Sequence, residues 1–492
     1  LIFKNTDYIF SEANVKIKKM KESMPQQTNI QKQINIPDQK DESQLIFERY
    51  KEEGRTSGDY WYSRVVENVA KKTPEELEKG IIEALKAEVP MMLSAIMERT
   101  CVYECKHCIF KKEESSQEES ERVGFGNIIN NIVVQMPNQE TSHRNTEEKP
   151  MFVHNGRVLR EWHLDIFKNI KEKRPDMEIG LIDNGTYTRY LDKFKEKNIK
   201  LNWVDISVDG TKEFHNLQRN SLVSFDGMMK GLKHAREIIF SPENGGKVTS
   251  LFTLTNLNYK DKNIEKTTEM LFPQESNQLV DELHISTMSP FREELAQFEI
   301  SPHYKKGDVE EFKEAWDQIK NVFNKYGHDD NGKQRIFLKI YRHEDIEKLA
   351  NAVGPKKFIE AVSLKRDQNR EIEKEQSIGV DIGHMEFVID GVPVTFFPFS
   401  TWPQETFFID ADGAYRTAFS SAFTLKELQE GKDENNKNLK GYTVDYLKTD
   451  SDFIKEYHKC VDQWWNFKGK NYLKEEIEMF DRIKKLSEEK SL

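Results

Sequence analysis

Short apolar runs alternate with longer amphipathic stretches through the middle of the chain. Apolar runs of four to eight residues begin at positions 151, 178, 201, 248 and 280. Stretches with apolar residues at helical spacing lie between them, at 162–171, 187–197, 225–238 and 263–271. Runs of this length are typical of buried strands, and their alternation with helices is typical of parallel βα units. With a further strand at 93–98, the pattern predicts six βα repeats in an α/β fold.

Residues 1–90 are predicted to form a mostly helical N-terminal extension. A polar, Gln-rich segment at 24–41 separates two amphipathic stretches and indicates a linker. A helix is predicted to begin at Thr73-Pro74, because threonine is a good N-cap and proline is favoured at the first helical position. The apolar residues at helical spacing in this helix are Ile82, Leu85 and Val89.

Three of the four cysteines lie together as Cys101, Cys105 and Cys108. A loop of this kind can place three thiolates around one iron-sulfur cluster, and soft sulfur ligands favour such clusters. Three cysteines leave one iron open to a substrate or cofactor, so the spacing indicates chemistry at the cluster. The alternatives are a structural zinc site, with His107 or Cys460 as the fourth ligand, and thiols that are only buried.

This cysteine motif resembles the signature of the radical S-adenosylmethionine (radical SAM) enzymes. The resemblance implies one 4Fe-4S cluster held by Cys101, Cys105 and Cys108, with S-adenosylmethionine (SAM) bound at the open iron. It also implies reductive cleavage of SAM to a 5′-deoxyadenosyl radical. The fold it implies is a partial (β/α)6 TIM-like barrel over residues 91–305, in which working residues lie at the C-terminal ends of the strands.

In that family a Gly-Gly-Glu motif follows the second strand and contacts the amino group of SAM. The corresponding segment here is His154-Asn155-Gly156-Arg157, so the resemblance makes Asn155 and Gly156 candidate SAM contacts. Arg157 departs from the family pattern, because a guanidinium cannot accept a hydrogen bond from an ammonium group. A simple strand-to-helix turn that needs one glycine is the alternative.

The fourth predicted strand leads into a second matching segment, residues 205–226. It resembles the Ser-Ile-Asp-Gly segment of the radical SAM subgroup that carries SPASM or twitch extensions. The resemblance places Ser207 and Asp209 near the ribose and methionyl part of SAM, and pairs Arg219 with the SAM carboxylate. Candidate substrate-facing positions at the ends of the fifth and sixth strands are Thr253, Thr255, Asn256, His284 and Ser286.

The C-terminal region, residues 306–492, is predicted to be an α+β, SPASM-like domain that lacks an auxiliary cluster. Its first part, 308–375, is predicted to be helical. The segment 407–415 resembles the hairpin that opens SPASM domains, but Ala418 stands where a cysteine usually follows. Cys460 resembles the first cysteine of the closing pair, with Gln463 in the place of the second. The alternative is an unrelated lid.

Composition narrows the class of protein. The chain has 492 residues, a formal net charge of -11 and 32% charged residues, which argues against binding nucleic-acid phosphates through a general positive field. Four cysteines in this length do not indicate a disulfide framework, and an oxygen-sensitive cluster is expected in the reducing cytoplasm. No apolar run reaches the roughly 18 residues of a membrane span, so no membrane partner is expected.

The sequence therefore predicts a radical SAM enzyme that abstracts hydrogen from a peptide or protein side chain, as maturases do. Its partners would be that substrate and an external electron donor such as flavodoxin or ferredoxin. One alternative is a dehydratase, deaminase or epimerase of the same family, acting on a small molecule such as a sugar. Another is a degenerate or zinc-stabilised binding protein without catalysis.

Overall fold

The computed structural model describes residues 74–87, 89–97, 101–108, 119–137, 149–155, 159–186, 188–239, 246–273, 278–288, 297–298, 309–362, 385–398, 407–410, 414–416 and 445–489. The chain divides into two compact units, Leu1–Asp41 and Glu42–Leu492, and all of these residues belong to the second. The predicted linker at 24–41 and the predicted N-terminal extension up to residue 73 lie outside the described residues.

A twelve-stranded sheet organises the second unit, in the order β12-β11-β10-β1-β2-β3-β4-β5-β6-β7-β9-β8. The strands are β1 Met92–Ile96, β2 Met151–Asn155, β3 Glu178–Asp183, β4 Trp203–Ser207, β5 Lys247–Leu254, β6 Glu282–Thr287, β7 Ile336–Ile340, β8 Met385–Ile389, β9 Val392–Phe396, β10 Phe407–Asp410, β11 Ala414–Arg416 and β12 Asp445–Tyr446. Strands β1 to β7 run parallel in chain order, and β9 and β10 extend the parallel part at either edge. The predicted α/β fold with a largely parallel sheet is confirmed.

Helices connect most of the parallel strands. They are α1 Pro74–Ala87, α2 Glu119–Gln135, α3 Glu161–Lys173, α4 Leu191–Glu196, α5 Lys212–Arg219, α6 Ser224–Ile239, α7 Asn263–Leu271, α8 Glu310–Tyr326, α9 His343–Val353, α10 Phe453–Trp464 and α11 Lys470–Glu489. A π-helical turn, Trp465–Gly469, joins the last two. Helix α1 begins at Pro74 as the sequence predicts, with Leu85 buried and Ile82 half-buried. None of the described helices has the length and apolarity required to span a membrane.

The two faces of the sheet differ in polarity, and strand β4 shows the pattern. Val204 and Ile206 are fully buried in the core that also contains Leu232 of α6, while Asp205 and Ser207 on the other face are half-buried. Because successive side chains of a strand point to opposite faces, one face packs under helices and the other keeps contact with solvent. We call this second face the inner face.

Strand β1 leads directly towards the cysteine segment. It lies between β2 and β10, with Leu93 paired to Phe152 on one side and to Phe407 on the other. The carboxyl ends of β1 to β6 meet at one edge of the sheet, where ligands bind in sheets of this kind. The chain after residue 305 adds strands at both sides of the sheet. Strands β7, β9 and β8 follow β6 on one side, and β10, β11 and β12 follow β1 on the other. The segment predicted to be helical, 308–375, contains strand β7 between helices α8 and α9.

Candidate functional site

The three clustered cysteines lie on a loop, residues 101–108, that follows β1 at the carboxyl edge of the sheet. All three cysteines are half-buried, and none of them is in a disulfide. The backbone N–H of Lys106 donates to the carbonyl of Gln218 at 3.0 Å, and the N–H of Cys108 donates to the carbonyl of Cys105 at 3.1 Å. The first bond holds the loop against helix α5, so residues of α5 lie next to the thiols.

Arg219, the last residue of α5, joins the cysteine loop to the strand beneath it. Its Nε donates to Oδ2 of Asp209 at 2.5 Å, and its Nη1 lies 3.6 Å from Sγ of Cys105. The carboxylate is fully buried and Arg219 is 7% exposed. A buried carboxylate requires a partner of opposite charge, so this arginine both neutralises Asp209 and offers an N–H donor to the sulfur of Cys105.

The second oxygen of Asp209 is also occupied. Oδ1 accepts a hydrogen bond from the backbone N–H of Thr253 at 3.2 Å, and His107 Nε2 lies 3.9 Å from Oδ2. Burial disfavours the charged carboxylate, but the Arg219 guanidinium and the hydrogen bond from the Thr253 N–H favour it and hold the pKa of Asp209 below its ordinary value. Asp209 is therefore ionised at neutral pH.

Two histidines beside this ion pair are neutral. Burial lowers the pKa of His107 to about 4 and that of His215 to about 3. Nδ1 of His215 accepts a hydrogen bond from the backbone N–H of Asp209 at 3.2 Å, which assigns the proton of the ring to the other nitrogen. The charge next to Cys105 is thus carried by Arg219 and Asp209.

Gly210 follows the carboxylate and is required by the packing of the turn. Its φ is +148°, and a Cβ atom there would lie 2.6 Å from Nδ2 of Asn263 and 2.8 Å from Cβ of Phe214. The amide of Asn263 accepts from the backbone N–H of Thr211 at 2.9 Å. Any side chain at 210 would break this arrangement. The Asp-Gly pair of the sequence motif therefore has a structural reason.

The Cys105 thiol is poorly solvated. Burial raises its pKa to about 12, although the Arg219 guanidinium acts in the opposite direction. The free thiol is therefore protonated at neutral pH. A metal ion or cluster that takes this sulfur as a ligand displaces the proton, since metal-bound cysteine is a thiolate.

Cys101 has a different neighbour, the turn after β3. Nδ2 of Asn184 lies 3.9 Å from Sγ of Cys101, and the side-chain oxygen of Asn184 accepts from the backbone N–H of Thr186 at 3.0 Å. The turn is held open by Gly185, whose φ is +87°. Two of the three thiols thus have a side-chain N–H donor close to the sulfur.

The remaining predicted residues are placed as follows. Asn155 ends β2, and its Nδ2 donates to Oγ of Ser94 on β1 at 3.3 Å. Ser207 ends β4 on the inner face. Thr255 is buried, and its hydroxyl donates to Gln218 at 2.7 Å. Gly156 lies outside the described residues.

Two residues that contact the cysteine loop were not predicted as site residues. Asn184 belongs to a turn whose motif, Asp-Asn-Gly-Thr, is a weak signal in sequence. Gln218 holds the loop through its carbonyl, while its side-chain amide donates to the carbonyl of Thr253 at 2.9 Å. Only its position next to Arg219 could have suggested it.

The residue types on the loop, though not the positions of their side chains in this structure, fit an iron-sulfur cluster. Three cysteines lie on one loop, with N–H donors to two of the sulfurs, as thiolate ligands of iron-sulfur clusters commonly have. Within the described ranges, no three or more His, Cys, Asp and Glu side chains are grouped so that they could hold a metal ion.

No protein-family model matches the chain, and no curated protein matches it in sequence. Among solved structures, the chain is similar to anSMEcpe with bound AdoMet, at 12% identity, over 77% of this chain and 82% of that chain, with a TM-score of 0.43. It is similar to Streptococcus suis SuiB bound to precursor peptide SuiA, at 9% identity, over 92% of this chain and 77% of that chain, with a TM-score of 0.43.

A third similar structure is coproporphyrinogen III oxidase (HemN) from Escherichia coli, described as a radical SAM enzyme. The identity is 13%, the match covers 52% of this chain and 58% of that chain, and the TM-score is 0.35.

Proposed function

We propose that this protein is a radical SAM enzyme with one 4Fe-4S cluster. The observation that carries the proposal is the cysteine loop itself: three cysteines follow a parallel strand at the carboxyl edge of the sheet, next to a buried arginine-carboxylate pair. The number and spacing of these thiols fit a cluster with one open iron. Together with the motif resemblance, this favours a catalytic cluster over a structural zinc site.

Cys101, Cys105 and Cys108 would hold the cluster, and SAM would bind beside it. When bound, these cofactors supply reductive cleavage of SAM to a 5′-deoxyadenosyl radical, which abstracts hydrogen from the substrate. The electron comes from an external donor such as flavodoxin or ferredoxin. Cysteines outside disulfides and such a cluster suit a reducing compartment, so we propose that the enzyme is cytoplasmic.

The chain's own residues would orient these groups and shield them from water. Arg219 holds the cysteine loop through Cys105, and Asp209 holds Arg219. In this arrangement the guanidinium has partners within the protein, so its predicted contact with the SAM carboxylate would use the N–H groups that remain. Asn155 and Ser207 lie at the ends of β2 and β4, where a ligand at the carboxyl edge can contact them.

For the substrate we favour a peptide or protein side chain, modified as maturases do. This rests on the resemblance of segment 205–226 to the SPASM and twitch subgroup. We propose that residues 306–492 are SPASM-like and lack an auxiliary cluster, because this part of the sequence contains one cysteine, Cys460, which lies buried in helix α10 at 4% exposure.

The test is SAM cleavage by the anaerobically purified, iron- and sulfide-reconstituted protein with dithionite. We expect four irons per chain, in keeping with a 4Fe-4S cluster, and 5′-deoxyadenosine in the wild type. Cys105→Ala should abolish both signals. Cys460→Ala is the matched control, since it removes the one cysteine outside the loop, and it should retain both. Zinc without iron in the wild type, or deoxyadenosine formation that survives Cys105→Ala, would contradict the proposal.

A further inference from the structure

A cavity of about 230 Å³ lies at the amino edge of the sheet, at the opposite ends of the strands from the cysteine loop. Its walls are the residues that precede β2 and β4, the last turn of α3 with the turn that follows it, and Glu178, the first residue of β3. These elements meet because β2, β3 and β4 are parallel neighbours in the sheet. Pockets for drug-sized ligands start at roughly 300 Å³, so this cavity fits a smaller molecule or ion.

Three lysines from three separate segments line the cavity. Lys171 lies in the last turn of α3, Lys149 precedes β2, and Lys200 precedes β4. Neighbouring strands lie about 4.8 Å apart, so β2 and β4 start within roughly 10 Å of each other on either side of β3. We call Lys149, Lys171 and Lys200 the lysine cluster.

The ammonium group of Lys171 is held in a fixed position. Its Nζ donates to the carbonyls of Pro175 at 3.0 Å and Met177 at 2.7 Å. An ammonium group has three N–H donors, so one remains for a ligand. Burial lowers the pKa of Lys171, two nearby carboxylates oppose this, and the charges of Lys200 and Lys149 act with it. The three ammonium groups therefore repel one another, and an anion between them would relieve the repulsion.

The two carboxylates of the cavity leave an excess of positive charge. Asp176 is bound by Arg174, whose Nε and Nη2 donate to its two oxygens at 2.9 Å and 2.7 Å. These bonds hold the pKa of Asp176 below its ordinary value. Glu178 lies 3.7 Å from Lys149. The lysine cluster thus faces Glu178 and a carboxylate that is already paired with a guanidinium.

The other groups of the cavity narrow the choice of ligand. Oδ1 of Asn202 accepts from the backbone N–H of Ile179 at 3.0 Å, which leaves the amide NH2 group of Asn202 as a further donor. Among the described residues that line the cavity, none is aromatic and none is an arginine. A nucleobase would therefore find no ring to stack on, and a carboxylate would find no planar fork to match it. Ammonium groups bind phosphate as point charges.

We propose that this cavity is a binding site for a small phosphate-bearing anion, held by the lysine cluster and the amide of Asn202. The site lies at the other ends of the strands that carry Asn155 and Ser207. None of the residues that line it belongs to the cysteine loop, so the proposal does not rest on the proposed function.

The experiment is isothermal titration calorimetry of the full-length protein with inorganic diphosphate, in metal-free buffer of low ionic strength. We expect one saturable site whose affinity falls as salt is added. Lys171→Met should weaken binding by at least about tenfold, because a charge-assisted hydrogen bond is lost. Lys200→Met, which leaves the hydrogen bonds of Lys171 in place, should weaken it by about threefold or more. Glu178→Gln should tighten binding, since it removes a negative charge.

Lys168→Met is the matched control. Lys168 lies one turn before Lys171 on α3, is 56% exposed and pairs with Glu172 at 3.8 Å outside the cavity. This variant should bind diphosphate within about twofold of the wild type, because a solvent-exposed charge outside the site is screened.

Three results would contradict the proposal. Absence of saturable diphosphate binding, or wild-type affinity in both Lys171→Met and Lys200→Met, would overturn the site. Weaker binding by Glu178→Gln would overturn the role given to the excess positive charge. Citrate, a tricarboxylate of similar charge, is expected to bind more weakly than diphosphate, and equal or tighter binding of citrate would overturn the choice of phosphate.

Discussion

The side chain of Arg219 contacts both Cys105 of the cysteine loop and the buried carboxylate of Asp209. The sequence identifies the residue as a candidate, because an arginine at this distance from Asp-Gly resembles a family motif. Its partners within the protein could not be read from sequence. They depend on the bond between Lys106 and Gln218, which brings the cysteine loop to the end of α5. The same reasoning applies to Asn184, which contacts Cys101 only because β1 and β3 end at the same edge.

At the residue scale we expect Arg219→Met to destabilise the protein by about 3–5 kcal/mol, because it leaves Asp209 charged and buried without a partner. The double variant Asp209→Asn with Arg219→Met should recover much of this loss. Urea unfolding measures both effects.

The double variant also distinguishes the effect of Arg219 on protein stability from its effect on the position of the proposed cluster. Without the Arg219 N–H donor to Cys105, we expect fewer irons per chain and a more negative midpoint potential of the proposed cluster, since hydrogen bonds to the cluster sulfurs raise the potential. Iron analysis and an EPR-monitored redox titration measure these quantities. Wild-type iron content and potential in a stable double variant would show that Arg219 does not position the cluster.

At the scale of single elements, the contact between helix α6 and the turn after β3 depends on two glycines. A Cβ atom on Gly231 would lie 1.9 Å from the carbonyl oxygen of Gly185. The sequence predicts both elements to within a few residues, with β3 at 178–183 and α6 at 224–239. The sequence does not predict their close contact. A glycine within a helix indicates only a lower helix propensity, and the reason for it is seen only when the neighbouring turn is known.

Substitution by alanine at two helix glycines, Gly231 and Gly124, should change the melting temperature in opposite directions. Gly231→Ala should lower the melting temperature by several degrees, because the helix must move away from the turn that carries Asn184. Gly124→Ala in α2 should raise it, since nothing lies within 4 Å of the new Cβ and alanine favours a helix by about 1 kcal/mol. Thermal unfolding followed by circular dichroism checks both. Destabilisation of equal size in the two variants would show that the contact with Gly185 is not the cause.

At the scale of the whole molecule, the region after residue 305 is part of the same sheet as the βα repeats. Local patterns predict β2 to β6 well, because each run of apolar residues carries its own signal. The pairing of β10 with β1 has no such signal, since the two strands are far apart in sequence. Helix α10 adds to the connection: the hydroxyl of Tyr457 donates to the carbonyl of Leu85 in α1 at 2.7 Å.

A chain that ends at residue 398 is expected to lose cooperative unfolding. The truncation removes β10 from the side of β1 and exposes the apolar residues of α1 that α10 covers. Near-ultraviolet circular dichroism and dye binding detect the loss of packing. A chain that begins at residue 42 is the control and should unfold cooperatively, because it keeps the whole second unit. Cooperative unfolding of the chain that ends at 398 would contradict this account.

The position of β1 between β2 and β10 also sets an order of events during synthesis. Strand β1 can pair on its second side only after β10 has been synthesised, because Leu93 pairs with Phe407. At typical elongation rates of about 5–20 residues per second, this wait is on the order of 15 to 60 seconds. During that time the strand that carries the cysteine loop is an open edge, and the loop is attached to an incomplete sheet. Loading of the proposed cofactors is therefore expected only after β10 has been synthesised, and until then the nascent chain exposes β1 to pairing with other strands.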